Sequence, residues 1–224
     1  MNKKIFIILP HKDQFIKNYS GSASIWVKDF FKKSKFKKLI KIFGSTDKLQ
    51  NVFIKKNYCN IKIPKFKILS KSNFYLNKLI QYCNLEKPSV VEIHNRPSYL
   101  LSISKRYLNT NYILIIHNDP LNLRGSNTID ERKYLLKICY KIYFVSSWVE
   151  EKFFSGIDKN FYTNFQTIYP SINKINKLPK KKNLIIFSGK LNAAKGFDKF
   201  ARAIIKILNK YKKWQAIIIG DEPR

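Results

Sequence analysis

Two lysines and two glycines lie together at a predicted strand-to-helix junction late in the chain. Gly189 and Lys190 directly follow the apolar run Leu184 to Phe187, and Lys195 and Gly196 come just before a predicted helix. Cationic side chains beside a helix N-terminus stabilise negative charge, such as the charge that builds up on a phosphate leaving group. The same pattern also fits a solvated lysine pair at a helix start. The pair alone therefore leaves both interpretations open.

Polar residues also follow two predicted strands in the first half of the chain. His94 comes after the run Val90 to Ile93, and His117, Asn118 and Asp119 come after Ile116. A polar cluster at the end of a strand suits a ligand site, whereas a single loop histidine is more often an ordinary loop residue. The three histidines of the chain lack the HxxH or HExxH spacing of metal ligands, so no metal site is expected.

A third candidate follows the first predicted strand, where Gly21 and Ser22 open a helix. The free backbone N–H groups and the dipole at such a helix start can hold an anion. Small residues at this position more often serve only as a cap. The sequence contains no P-loop, no GxGxxG and no GxSxG motif, and these absences argue against the corresponding nucleotide-binding and nucleophilic sites.

These candidates depend on an alternation of predicted strands and helices. The strands are predicted at Ile5 to Leu9, Leu39 to Phe43, Val90 to Ile93, Ile113 to Ile116, Ile142 to Val145, Leu184 to Phe187 and Ala216 to Ile219. The helices are predicted at Ser24 to Lys33, Phe74 to Cys83, Tyr99 to Tyr107, Ile129 to Cys139, Ser147 to Phe154 and Asp198 to Tyr211. Continuous apolar strands between helices predict an α/β fold with a doubly wound parallel sheet. Ligands of such sheets bind at the carboxyl ends of the strands.

The polar, lysine-rich segment around Pro179 separates two such strand-helix systems. We therefore predict a complete Rossmann-like domain over residues 1–175, a linker over 176–183, and the start of a second domain over 184–224. A further strand is predicted from residue 167, followed by a turn at Pro170.

The charge and composition of the chain limit the classes of binding partner that it could have. The chain has 44 Lys and Arg against 14 Asp and Glu, which gives a net charge of +30 and favours anionic partners. Only six of the basic residues are Arg, the usual reader of guanine edges, so a sequence-specific nucleic-acid partner is not expected. The three separated cysteines indicate no disulfide framework, and no apolar run is long enough for a transmembrane helix. These features predict a cytoplasmic protein, with the inner face of the membrane as a second location.

The order of these features along the whole chain resembles the GT-B glycosyltransferases of family 4, also called glycosyltransferase group 1. The resemblance is carried most specifically by the G-[RK]-x4-KG pattern of residues 189–196 and by the strand ending in IIIGDEP, residues 217–223. Supporting matches are the loop with Gly21 and Ser22, the strand ending at His117, the strand-Ser-helix segment 144–148 and the strand-Pro-turn segment 168–171.

The resemblance implies a retaining, metal-independent transferase that moves a hexose from a nucleotide diphosphate sugar and needs no cofactor. It assigns His117 to the donor sugar and Lys190 and Lys195 to the diphosphate. It also implies a wider donor-binding set, namely Gly21, Ser22, Gly189, Gly196 and Gly220.

The sequence departs from the family pattern in three places. Lys190 stands where Arg is usual, which replaces a planar fork by a point charge. Glu222 stands where Gly is common, and the Glu-x7-Glu segment that grips the donor would lie beyond residue 224. The chain therefore resembles a truncated family member, and we expect it to be inactive alone and to leave Ile217 to Ile219 partly exposed.

The resemblance extends less far on the acceptor side. It implies a saccharide or lipid-linked acceptor in bacterial cell-surface polysaccharide or lipopolysaccharide assembly. Residues 24–43 interleave aromatic residues with lysines, which fits either a surface that meets an anionic membrane or a helix and strand with a lysine-rich outer face. Two other functions stay open, a basic nucleic-acid-binding protein and a GT-B-like sugar-nucleotide epimerase.

Overall fold

The chain divides into two compact units, Met1–Ser171 and Ile172–Arg224. The computed structural model describes residues 3–18, 20–64, 70–107, 109–172 and 180–221. Residues 176–179 of the predicted linker, and Glu222 and Pro223 of the predicted IIIGDEP motif, lie outside the described residues. The predicted domain boundaries stay a prediction, and each unit is described by itself.

In the described part of the first unit, seven strands form a parallel sheet. They are β1 (Ile5–Ile8), β2 (Ile40–Gly44), β3 (Tyr58–Asn60), β4 (Val90–His94), β5 (Asn111–Ile116), β6 (Lys141–Phe144) and β7 (Phe165–Thr167). Their order in the sheet is β3-β2-β1-β4-β5-β6-β7, with every pairing parallel. From β1 the chain first adds strands on one side of the sheet, up to β3, and then on the other side, beginning with β4. Such a switch point between β1 and β4 opens a crevice at the carboxyl ends of the strands.

Five α-helices connect these strands and confirm the predicted alternation. They are α1 (Ser22–Lys33), α2 (Lys71–Glu86), α3 (Pro97–Ser104), α4 (Ile129–Ile138) and α5 (Ser147–Phe153). Helix ends shift by up to three residues from the prediction, as expected where caps rather than periodicity set the boundary. The strand expected from residue 167 is the three-residue β7 instead, which ends at Thr167, and the short β3 was not predicted.

The sheet buries apolar side chains on both faces because successive residues of a strand point in opposite directions. In β1, Phe6 and Ile8 join the core that packs on α2 to α5, whereas Ile7 and the following Leu9 join the core under α1. All four are at most 1% exposed. Each contributes roughly 2 kcal/mol by leaving water, which is why a strand of four residues can hold the centre of the fold.

The second unit contains β8 (Leu184–Ser188), α6 (Phe197–Lys210) and β9 (Gln215–Ile219), with β8 and β9 parallel. Phe187 of β8 packs on Phe197 and Phe200 of α6, with ring centroids 5.3 and 5.1 Å apart. Ile217, Ile218 and Ile219 are 44%, 48% and 55% exposed, as the sequence led us to expect. Across the described residues of both units, no helix is both long and apolar enough to span a membrane.

Candidate functional site

Three side chains form a hydrogen-bonded chain at the carboxyl ends of β4 and β5. Glu92 and His94 lie two residues apart in β4 and therefore point to the same face of the sheet. Glu92 Oε1 lies 2.8 Å from Nε2 of His94, and Nδ1 of His94 lies 3.0 Å from Nε2 of His117. His94 was predicted to follow the strand, but it is the last residue of β4 and is fully buried.

These contacts constrain where the protons of the chain lie. An ionised carboxylate only accepts, so His94 donates to Glu92 through Nε2–H. When His94 is neutral its Nδ1 accepts, so His117 donates through Nε2–H and keeps a lone pair on Nδ1. Burial, and then the electrostatic interaction with the neighbouring His94, lower the pKa of His117 from 6.5 to about 3. His117 is therefore a neutral hydrogen-bonding group at neutral pH.

The backbone around His117 is held by Asn95, the residue that follows β4. Oδ1 of Asn95 accepts from the backbone N–H groups of His117 and Asn118, at 3.3 and 3.2 Å. Asn95 itself has a positive φ of 52°, a conformation that Asn tolerates better than most residues. Trp26 of α1 adds an edge-to-face contact with the His117 ring, at 5.8 Å between centroids. The ring is thus contacted from β4 and from α1, and Asn95 holds the backbone on which it stands.

The start of α1 differs from the expected open anion site. Gly21 is the N-cap of α1, and its N–H donates to Oδ1 of Asp13 at 2.8 Å. The Ser24 hydroxyl donates to the same oxygen at 2.8 Å, and the Ser24 N–H donates to Oδ2 at 3.3 Å. A carboxylate of the protein therefore occupies the positive end of this helix. The roles of Gly21 and Ser22 in donor binding stay predictions, and for Gly21 its N–H is already engaged.

The lysine and glycine cluster lies where β8 gives way to α6. Gly196 is the N-cap of α6 and has a φ of 72°, which glycine adopts without the cost that a Cβ would add. The side chain of Asn192 accepts from the Lys195 N–H at 3.2 Å and caps the turn before the helix. Lys190 and Lys195 are both exposed. Two cations and a helix N-terminus therefore share one end of the unit, as the sequence predicted.

Gly220 completes this junction from β9, because its backbone lies against that of Gly189. The Gly189 N–H donates to the carbonyl of Ile219 at 3.0 Å. A Cβ placed on Gly220 would lie 1.7 Å from the carbonyl oxygen of Gly189, closer than any real contact. The two strand ends can meet only because position 220 has no side chain.

We therefore expect Gly220→Ala to destabilise the second unit by about 2–3 kcal/mol, the usual cost of forcing atoms into a packed site. Gly196→Ala is the matched control, since its Cβ would meet nothing within 4 Å and its cost is about 1 kcal/mol of left-handed backbone strain. Hydrogen exchange of the β8 and β9 amides measures the loss of stability in each of the two variants. Equal protection in the two variants would contradict the close approach.

Four of the residues in these contacts were not predicted, namely Glu92, Asp13, Asn95 and Asn192. Glu92 carried a local signal, since it is the one acidic residue in the otherwise apolar run VVEI of β4. Asp13 carried none, because its partners lie eight and eleven residues further along the chain. Among the described residues, no group of three or more His, Cys, Asp or Glu side chains could hold a metal ion. The assignments of His117, Lys190 and Lys195 to a donor stay predictions.

No protein-family description and no curated protein sequence matches the chain. By fold it is similar to the crystal structure of Anabaena Alr3699/HepE in complex with UDP and glucose, with a TM-score of 0.68 and 14% identity over 97% of this chain and 61% of that one. It is also similar to a glycosyltransferase from Rickettsia africae ESF-5, with a TM-score of 0.58 and 13% identity over 98% of this chain and 69% of that one.

A third similar structure is a UDP-N-acetylglucosamine 2-epimerase from Rickettsia bellii, with a TM-score of 0.57 and 11% identity over 99% of this chain and 62% of that one. The chain thus spans about 60–70% of the length of these proteins. At such identities the likeness shows the fold alone. It confirms the predicted fold class, an α/β protein of the GT-B type.

Proposed function

We propose that the chain belongs to a retaining, metal-independent glycosyltransferase that moves a hexose from a nucleotide diphosphate sugar to a saccharide or lipid-linked acceptor. The observation that carries the proposal is the fold likeness to a protein bound to UDP and glucose, over 97% of this chain. The lysine pair at the N-terminus of α6 supports it independently, because it matches the charge of a diphosphate.

Breaking the bond between a sugar and a diphosphate moves negative charge onto phosphate oxygens. In the proposed role, the ammonium groups of Lys190 and Lys195 donate to these oxygens, and the first free N–H groups of α6 face the same charge. Such donors act most strongly on the transition state, where the charge is largest. Gly189, Gly196 and Gly220 would let the phosphates approach the backbone without a Cβ in the way.

His117 would act on the sugar rather than on the diphosphate. Its lone pair on Nδ1 can accept a hydrogen bond from a sugar hydroxyl while Nε2–H is committed to His94. The lowered pKa of His117 keeps the ring neutral at pH 7. A neutral ring does not repel the positive charge that develops at the sugar carbon as the diphosphate leaves.

In this proposal the acceptor lies at the cytoplasmic face of the membrane. The reaction serves the assembly of cell-surface polysaccharide or lipopolysaccharide. The proposed membrane location is supported by exposed apolar side chains on and after α1, where Ile25, Phe30 and Phe36 are 45%, 52% and 59% exposed. Lysines interleave with them, and this combination favours anionic lipid surfaces.

A second candidate is a sugar-nucleotide epimerase, which the likeness to the Rickettsia bellii enzyme supports. An epimerase would alter the sugar without any acceptor. A basic nucleic-acid-binding protein is the remaining alternative, and its binding would fall steeply with salt and ignore sugar nucleotides.

The deciding experiment incubates the protein with UDP-glucose and UDP-N-acetylglucosamine, each labelled in the sugar, with and without saccharide and lipid-linked acceptors. Acceptor-dependent release of UDP is the result expected from a form of the protein that carries the Glu-x7-Glu segment, whereas the 224 residues alone are expected to release none. A changed sugar still attached to UDP would establish the epimerase instead. Binding of UDP to these 224 residues is measured in parallel, and a chain that binds DNA but neither sugar nucleotide would contradict both enzyme proposals.

A further inference from the structure

A cleft of about 260 Å³ opens at the carboxyl ends of β1 and β2, and none of its described lining residues belongs to the histidine chain. One wall comes from the segment after β1, with His11 and Lys12, and another from the segment after β2, with Thr46 and Asp47. Lys71, the first residue of α2, closes a third side. None of these residues takes part in the donor site proposed above.

Hydrogen bonds within the protein hold the residues that line this cleft in place. The side chain of Asn60 accepts from the backbone N–H of Thr46 at 2.8 Å and donates to its carbonyl at 3.1 Å. On the other side, Nδ1 of His11 lies 2.8 Å from the Tyr99 hydroxyl, which lies 3.2 Å from the Ser72 hydroxyl. The cleft is therefore formed before any ligand binds, which lowers the entropy cost of binding.

Positive charge surrounds His11 from three elements. Burial lowers the pKa of His11, and the charges of Arg96, Lys12 and Lys71 lower it further. The neutral phenols of Tyr75 and Tyr99 also lie near this imidazole. Asp47 is the one carboxylate among the described residues of the lining.

Neither lysine is paired with an acidic group in the part of the chain that the structure describes. Among the described residues, Lys12 and Lys71 form no ion pair, and both are exposed. The first turn of α2 contains no acidic residue, whereas α4 begins with Asp130 and Glu131. The potential in the cleft thus stays positive, and an anion entering it would gain several charge-assisted contacts at once.

We propose that this cleft binds the phosphate group of a phosphate-bearing sugar. Lys12 and Lys71 contact the phosphate oxygens, Arg96 adds its field, and Ile63 and Pro64 offer an apolar surface to the carbon face of the ring. This phosphate is distinct from the donor diphosphate. That the ligand is the acceptor rests on the proposed function, but its binding to the cleft does not.

The test measures binding of inorganic phosphate, glucose 6-phosphate and glucose to the 224-residue chain at 150 mM salt, without any nucleotide sugar, by calorimetry and by NMR of His11. We expect glucose 6-phosphate to bind most tightly, inorganic phosphate more weakly, and glucose not at all. Lys12→Gln or Lys71→Gln should each weaken binding about 10-fold, the effect of losing one charge-assisted contact. Lys133→Gln on α4 is the matched control and should change nothing.

His11 supplies a readout that nonspecific binding elsewhere would not move. A bound phosphate offsets the positive field, so the pKa of His11 should rise towards its ordinary value on adding glucose 6-phosphate, and phosphate should in turn bind more tightly as pH falls through that pKa. Equal affinity of the Lys71→Gln and Lys133→Gln variants, or an unchanged pKa of His11 at saturation, would overturn the proposal. Equal binding of inorganic phosphate and glucose 6-phosphate would overturn the assignment to a sugar. If this binding is found but a form of the protein that carries the Glu-x7-Glu segment shows no sugar transfer, only the proposed function is contradicted.

Discussion

Replacing Lys195 with alanine is expected to lower the rate of sugar transfer by about 100- to 1,000-fold, the range seen when one preorganised donor to a developing charge is removed. The lysine follows the Asn192 cap and directly precedes Gly196, the N-cap of α6, so in the proposed role its ammonium group and the helix dipole would act on the same diphosphate. Because the Lys195 side chain is exposed, its loss should leave folding unchanged. The measurement is turnover of UDP-glucose, in a form of the protein that shows transfer, alongside thermal unfolding.

The matched control for this variant is Lys206→Ala, which removes an exposed lysine from the middle of the same helix. Its turnover should equal that of the wild type, since the effect of the dipole is confined to the ends of a helix. Lys195→Arg keeps the charge and should retain more activity than Lys195→Ala. Wild-type turnover in Lys195→Ala would remove this residue from the mechanism.

Acid is expected to weaken the fold through His117. The imidazole has a pKa of about 3 in the folded protein against 6.5 as its ordinary value, so the unfolded chain binds a proton more readily. The stability that comes from keeping the ring neutral is complete above pH 6.5 and is lost progressively as pH falls towards 3. At pH 4.5 the loss should be roughly 2–3 kcal/mol, two pKa steps of 1.36 kcal/mol each.

The check compares wild type with His117→Gln in urea unfolding at pH 7.0 and 4.5. Glutamine does not titrate, so the variant should lose less stability on acidification than the wild type. Contributions from His11 and from carboxylates distant from His117 occur in both proteins and cancel in the difference. An equal loss in the two proteins would mean that His117 is not the group that takes up the proton.

Much of the fold could be predicted from the sequence because its signals are local. Continuous apolar runs such as those of β1 and β5 between amphipathic helices predict a parallel sheet, and the prediction is confirmed. The strand-to-helix junction after β8 was predicted for the same reason, since glycine, lysine and helix start follow one another within twelve residues. The short strands β3 and β7 were not predicted correctly, because three residues are too few to show a periodic pattern of apolar side chains.

The sequence by itself therefore determined the order of strands and helices, the end of the sheet at which polar residues collect, and the lysine pair before α6. Only the tertiary structure decided which of these residues touch. Pairing β4 with β5 brings His94 to His117, and packing of α1 onto the sheet joins Asp13 to Gly21. Contacts of this kind depend on which strands become neighbours, and that choice is set by the burial of the whole core rather than by the residues adjacent in the chain. The pKa of His117 has the same origin, because burial lowers it and only the folded chain buries the ring.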